Sequence, residues 1–150
     1  METTESIVVT AEPGAVFAHV ERLDAYPAWL PLVHSAQQVE AAAGDPGPAW
    51  TVELRAKVGP FARSKRLRMV RVEHVADRRV VFARRELDGR DHAVWELAAD
   101  LGTTHPGTEL TMHLRYGGSL WTGGVLERVL DDQVRQGREG LQRLLAPSGA

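Results

Sequence analysis

The last part of the chain, Thr122 to Leu145, constrains everything before it. Apolar or small residues recur at Leu126, Val129, Leu130, Val134, Gly137, Leu141, Leu144 and Leu145, in steps of three and four. That spacing gathers them on one stripe of a helix, while Asp131, Arg135, Glu139 and Arg143 follow the opposite side with alternating sign. Thr122 suits the N-cap and Pro147 ends the helix. At 1.5 Å per residue the segment reaches roughly 35 Å, the width of a small domain. A helix that long with one dry face must lie across a sheet.

The rest of the chain supplies one. Ser6 to Thr10 reads as a short strand, and Pro13 suits the first turn of a helix running to about Arg22. Asp24 to Leu30 reads as a second short helix, stopped by Pro31. From Val33 the period drops to two. Strands are expected over Val33 to Ala42, Trp50 to Val58, Arg63 to Val75, Arg79 to Leu87, Asp91 to Asp100 and Thr108 to Tyr116. Turns fall at Gly44 to Pro48, Gly59-Pro60, Asp77-Arg78, Asp88-Gly89 and Gly102 to Gly107. The expected class is α+β: a curved, seven-stranded antiparallel sheet around the long C-terminal helix, with two short helices between strands 1 and 2. Gly137 and Gly140, each costing about 1 kcal/mol in a helix interior, would mark where that helix leaves room for a cavity.

One hundred and fifty residues fit one domain, residues 1–150, with one core and no linker. A net charge of -2 gives no bulk attraction to DNA or to a membrane, and no run approaches a membrane span. Without cysteine there is no disulfide, thiolate nucleophile or cysteine metal site. The N-terminus has no apolar leader segment, so a soluble, cytoplasmic chain is expected.

Several motifs resemble a known family. Ser6-Ile7-Val8-Val9 precedes Ala11-Glu12-Pro13-Gly14-Ala15-Val16-Phe17, and Tyr26-Pro27-Ala28-Trp29-Leu30-Pro31 closes the second helix. Trp95-Glu96-Leu97, Gly107-Thr108-Glu109-Leu110-Thr111 and Leu141 to Leu145 follow. In these residues and their order the chain resembles the START-like, helix-grip superfamily (SRPBCC), in its bacterial polyketide cyclase/dehydrase and lipid-transport branch. The resemblance spans nearly the whole chain and implies a helix-grip fold that binds an apolar or amphipathic small molecule, such as a lipid, quinone or polyketide. No cofactor is expected.

The alternation turns Trp50, Val52, Leu54, Trp95, Leu97, Met112, Leu114 and Tyr116 toward Leu126, Leu130 and Val134 of the helix. These residues suit an apolar ligand and equally suit a filled core. Trp121, between two glycine pairs, reads as a lid or as an anchor. The Arg63-to-Val75 strand changes face, through burial on both sides or through a bulge. With Val70 and Val72 inward, Arg68 and His74 also point inward; otherwise both are solvated. Cyclases of the superfamily use polar pocket groups, commonly an arginine with hydroxyls. The corresponding candidates by residue type are Arg68 to orient carbonyls, His74 to move protons and Tyr116 to donate a hydrogen bond.

Ten of the 18 Lys and Arg residues lie between Arg63 and Arg90, with four acidic residues among them. Such strands attract an anionic ligand, an acidic carrier protein or RNA, or form a solvated face. The six histidines have no metal-ligand spacing, so no metal is expected. The sequence thus favours binding of a hydrophobic small molecule, with aromatase/cyclase activity as the alternative and a partner-binding module using the basic strands as a second. It does not fix the oligomeric state.

Overall fold

The structure is a computed structural model that describes residues 2–58, 60–117 and 125–145, with side chains except at Val58, Phe61, 125–131 and Val134. Strand β1 (Glu2–Val9) leads into a one-turn helix α1 (Pro13–Phe17) and a 3-10 helix (Leu23–Ala28). Strands β2 (Val33–Val39), β3 (Ala49–Val58), β4 (Phe61–Val75), β5 (Arg79–Arg84), β6 (Trp95–Thr103) and β7 (Thr108–Tyr116) follow, then helix α2 (Val125–Leu145). The strands form one curved antiparallel sheet in the order β1-β7-β6-β5-β4-β3-β2, so β1 and β2 are its edges. Helix α2 packs against β1 and β3, across the concave face. The Thr122 cap falls outside the described residues.

Period-two patterning is obeyed where the sequence shows it. Trp50, Val52, Leu54 and Ala56 of β3 are buried, and the register sets Trp50 opposite Met69 and Val52 opposite Leu67. Leu97 pairs with Leu114 and Trp95 with Tyr116, which puts the apolar rows of β6 and β7 on the same face. Beneath them the core gathers Val16, Phe17, Val20, Leu23 and Tyr26. Burial pushes the Tyr26 phenol well above its ordinary range, and its hydroxyl donates to the Val20 carbonyl at 2.9 Å.

Two expectations change, and one alternative is decided. Helix α1 ends at Phe17 rather than near Arg22, and the segment to the 3-10 helix is held by side chains: Tyr26 caps Val20, and Trp29 Nε1 donates to the His19 carbonyl at 3.0 Å. Strand β5 stops at Arg84 and β6 starts at Trp95, so Asp88-Gly89 is not a tight hairpin. There Asp88 accepts from the Arg90 N–H and from His92, local bonds that compete with ladder pairing. Finally, β4 carries a bulge against β5 between Arg71 and Glu73, with Val72 the extra residue.

The bulge sets the faces of β4. Leu67 and Met69 share the concave face, whereas Arg68 and Val70 point to the convex side. After the bulge the phase switches, so that His74 opposes Val80 while Arg71 opposes Phe82. Val70, opposite Ala49 and Ala83, is fully buried without reaching the interior, and Val72 is half-buried at the bulge. Of the two readings of this strand, the one that turns Arg68, Val70 and Val72 inward fails, and Val70 and Val72 are corrected as lining residues: Leu67 and Met69 take that place, while Arg68 on the other side is paired with Asp45 rather than solvated.

Candidate functional site: the cavity under the helix

Between the concave face and α2 lies a cavity of about 420 Å³. That is within the range of roughly 300–1,000 Å³ usual for small-molecule sites. Strand β3 contributes Val52 and Leu54, β4 Leu67 and Met69, β6 Trp95 and Leu97, and β7 Leu110, Met112 and Leu114. The 3-10 helix and the turn after it add Leu23, Trp29, Leu30 and Leu32. Helix α2 closes the space with Gln133, Arg135, Arg138 and Leu141. Of the 22 lining residues sixteen are apolar, so the wall rewards an apolar occupant and offers water little.

Of the residues singled out in the sequence, Val52, Leu54, Trp95, Leu97, Met112 and Leu114 line this space. Tyr116 is buried one step beyond, its ring 5.5 Å from that of Trp95. Trp50 is fully buried but packs edge-on against Phe82 at 5.6 Å, outside the lining. Val70 and Val72 do not line it, for the reasons of strand phase given above. Trp121 lies outside the described residues, and so do the side chains of Leu126, Leu130 and Val134.

The polar candidates separate. Arg68 points away from the cavity: on the convex side its Nη2 donates to Asp45 Oδ2 at 2.7 Å and its Nη1 to the Arg85 carbonyl at 3.1 Å. Both side chains of this pair are nearly buried, at 10% and 7% exposure, so the arginine is matched by charge, as burial demands. The Arg68 guanidinium, followed by the Ala42 N–H, holds the Asp45 carboxyl below its usual range. His74 sits beneath α1, its ring 5.4 Å from that of Phe17 and its Nε2 3.3 Å from Glu21 Oε2. Arg68, His74 and Tyr116 therefore do not converge on one point.

Other residues at the site were missed. Thr3 and Glu5 line it because β1 begins at Glu2, four residues before the expected start, and Ser6 lines it from within the expected strand. The alternation of Thr3, Glu5 and Ile7 was the available signal, obscured by the charge of Glu5. Arg135, assigned to the outer face of the helix, borders the cavity. Arg84, opposite Met69 in the register, stays outside the lining: its Nε donates to Glu86 Oε1 at 3.0 Å and its Nη1 to the Ala93 carbonyl at 3.4 Å. The Trp95 indole N–H and the Gln133 side-chain carbonyl, on two lining residues, are buried without a hydrogen-bond partner among the described residues. Unmatched buried polar atoms are uncommon and mark a place where a ligand oxygen or a water fits.

The basic strands are partly neutralised. Besides Arg68, Arg79 bonds Asp100 and Glu73, Arg84 bonds Glu86, and Arg71 donates to the Glu21 carbonyl. Among the described residues no helix is long and apolar enough to cross a membrane.

A family model described as polyketide cyclase / dehydrase and lipid transport matches residues 1–146. No curated protein matches the chain in sequence. Among solved structures, a Chromobacterium violaceum protein is 17% identical with a TM-score of 0.69, over 98% of each chain. A START superfamily protein from Mycobacterium smegmatis is 13% identical with a TM-score of 0.70, over 96% of each chain. The di-domain ARO/CYC protein BexL is 16% identical with a TM-score of 0.68, over 99% of this chain and 51% of its own. Likenesses at this identity show the fold, which is the helix-grip fold.

Proposed function

Since the chain belongs to the polyketide cyclase/dehydrase and lipid transport family, we propose that its cavity binds an apolar or amphipathic small molecule. One observation carries the reading: a space of about 420 Å³ walled by sixteen apolar residues, in a place where interiors are ordinarily packed to crystal-like density. Lipids, quinones and polyketides all fit this description. Release of the molecule to another protein would make the chain a carrier. The test is native mass spectrometry of the purified protein followed by organic extraction. A stoichiometric apolar compound supports the reading. An empty protein that also binds no hydrophobic fluorescent probe overturns it.

A second reading, cyclisation of a poly-β-ketone, is favoured by the Trp95 indole N–H, a buried donor on the cavity wall without a partner among the described residues, and by the likeness in fold to the ARO/CYC protein BexL. In it neither Arg68 nor Tyr116 reaches the lining, so a substrate carbonyl would accept from the buried Trp95 indole N–H. His74, bonded to Glu21 beneath α1, has no part. Turnover of a linear poly-β-ketone, lost in Trp95→Phe, is the result that would raise this reading above simple binding.

A further inference from the structure

The polar groups of the cavity wall are confined to one seam. Thr3, Glu5 and Ser6 come from β1 and Gln133, Arg135 and Arg138 from α2, while every other lining residue is apolar. Strand β1 is an edge of the sheet, so this seam faces solvent, and Glu5, Arg135 and Arg138 are all exposed. The register sets Glu5 opposite Met112 and Thr3 opposite Leu114, which brings the polar rim directly against the apolar wall. Arg135 and Arg138 are three residues apart on α2 and so neighbours on its surface. Among the described residues neither they nor Glu5 have an ion-pair or hydrogen-bond partner, in contrast to Arg68, Arg79 and Arg84. On the lining itself two guanidiniums stand with one carboxylate, and Asp132 and Glu139 flank them along α2.

We infer that the ligand is an amphipathic acid that enters between β1 and α2, leaves its carboxylate at Arg135 and Arg138, and places its apolar body in the cavity. The inference rests on the reading of the cavity as a ligand site. Arginine is suited to the task because its planar fork meets a carboxylate with two parallel hydrogen bonds. Glu5 opposes the same anion and holds its affinity down. The segregation of polar and apolar lining is what an amphipath needs; a wholly apolar ligand would leave the seam without a role.

Dodecanoate and dodecanol, titrated separately into the full chain near neutral pH and followed by the fluorescence of Trp29 and Trp95, test this. Exposed pairs are weak singly, so Arg135→Gln with Arg138→Gln weakens dodecanoate about tenfold, whereas uncharged dodecanol changes by less than about twofold. Glu5→Gln tightens dodecanoate about threefold, and added salt weakens dodecanoate alone. Circular dichroism checks that the variants fold; if the double variant does not, Glu5→Gln and the salt response of the unaltered chain decide. Both probes binding, with dodecanoate indifferent to these substitutions and to salt, overturns the seam as an anion site and leaves the cavity reading standing. Neither probe binding the unaltered chain overturns both.

Discussion

Gly140 of α2 lies directly on the backbone of Trp29: a methyl group at Gly140 would come 2.6 Å from the Trp29 carbonyl oxygen. Gly137, one turn earlier, stands in the same relation to Leu30, with 2.7 Å to its Cδ1. The two glycines therefore do not open room for the cavity, as their helix-interior cost suggested. They let α2 approach the segment that carries two lining residues, and Trp29 is pinned there from its other side by its bond to the His19 carbonyl.

Gly140→Ala and Gly137→Ala should accordingly differ. Alanine favours a helix by about 1 kcal/mol over glycine, yet at 140 the obstacle is backbone that cannot rotate aside, and overpacking of that kind costs about 1–3 kcal/mol. Gly140→Ala is expected to destabilise the protein, while Gly137→Ala, which meets the movable end of Leu30, is close to neutral. Urea unfolding of the two variants checks the order; equal midpoints would show that the helix shifts freely over Trp29.

Leu141 tests the buried face of α2. It is fully buried and lines the cavity, so an unpaired carboxylate there should cost several kcal/mol. Leu141→Asp is expected to unfold the protein or lower its Tm sharply. A Tm close to that of the unaltered chain would mean that α2 does not rest on the sheet through this residue.

Filling the cavity should separate binding from stability. Leu97→Trp adds volume where the wall is open, so ligand affinity should fall about tenfold or more while Tm holds or rises. Trp95→Ala, which removes wall surface, should also weaken binding, at a stability cost of about 3–5 kcal/mol. Calorimetric titration with the compound extracted from the protein, beside thermal scans, measures both. Unchanged affinity in both folded variants would place the ligand elsewhere.

The Arg68 and Asp45 pair predicts an acid-range dependence. Arg68 lowers the folded Asp45 carboxyl below the ordinary carboxylate range, so the stability it contributes is present above about pH 4, the ordinary aspartate value, and is lost as the pH falls through the lowered folded value. Asp45→Asn removes this dependence and leaves Arg68 without its counterion. The difference in urea midpoint between the two proteins should be large near neutral pH and shrink in acid. A difference independent of pH would assign the effect to packing of the Gly44 to Pro48 turn.

The catalytic candidates show where sequence reasoning loses its hold. The strict alternation of β3, β6 and β7 has one dry face, and any one-residue slip would expose it, so Val52, Leu54, Leu97, Met112 and Leu114 were legible as interior. Strand β4 has apolar residues on both faces, and the two readings of Arg68 differ by one residue of phase. Only its pairing with β3, which sets Leu67 opposite Val52 and Met69 opposite Trp50, and the return of Asp45 over the convex side, decide that Arg68 faces away from the cavity.

The sequence by itself determined the order of elements, the class of the sheet, the amphipathic closing helix and most of the apolar wall. These follow from periodicity, which acts between neighbours in the chain. The tertiary structure alone decided which polar residues border the cavity. Glu5 and Arg138 are more than a hundred positions apart, and they share a rim because β1 is an edge strand and α2 crosses it. Juxtaposition of that kind is fixed by strand order and helix crossing, and neither is written in local pattern.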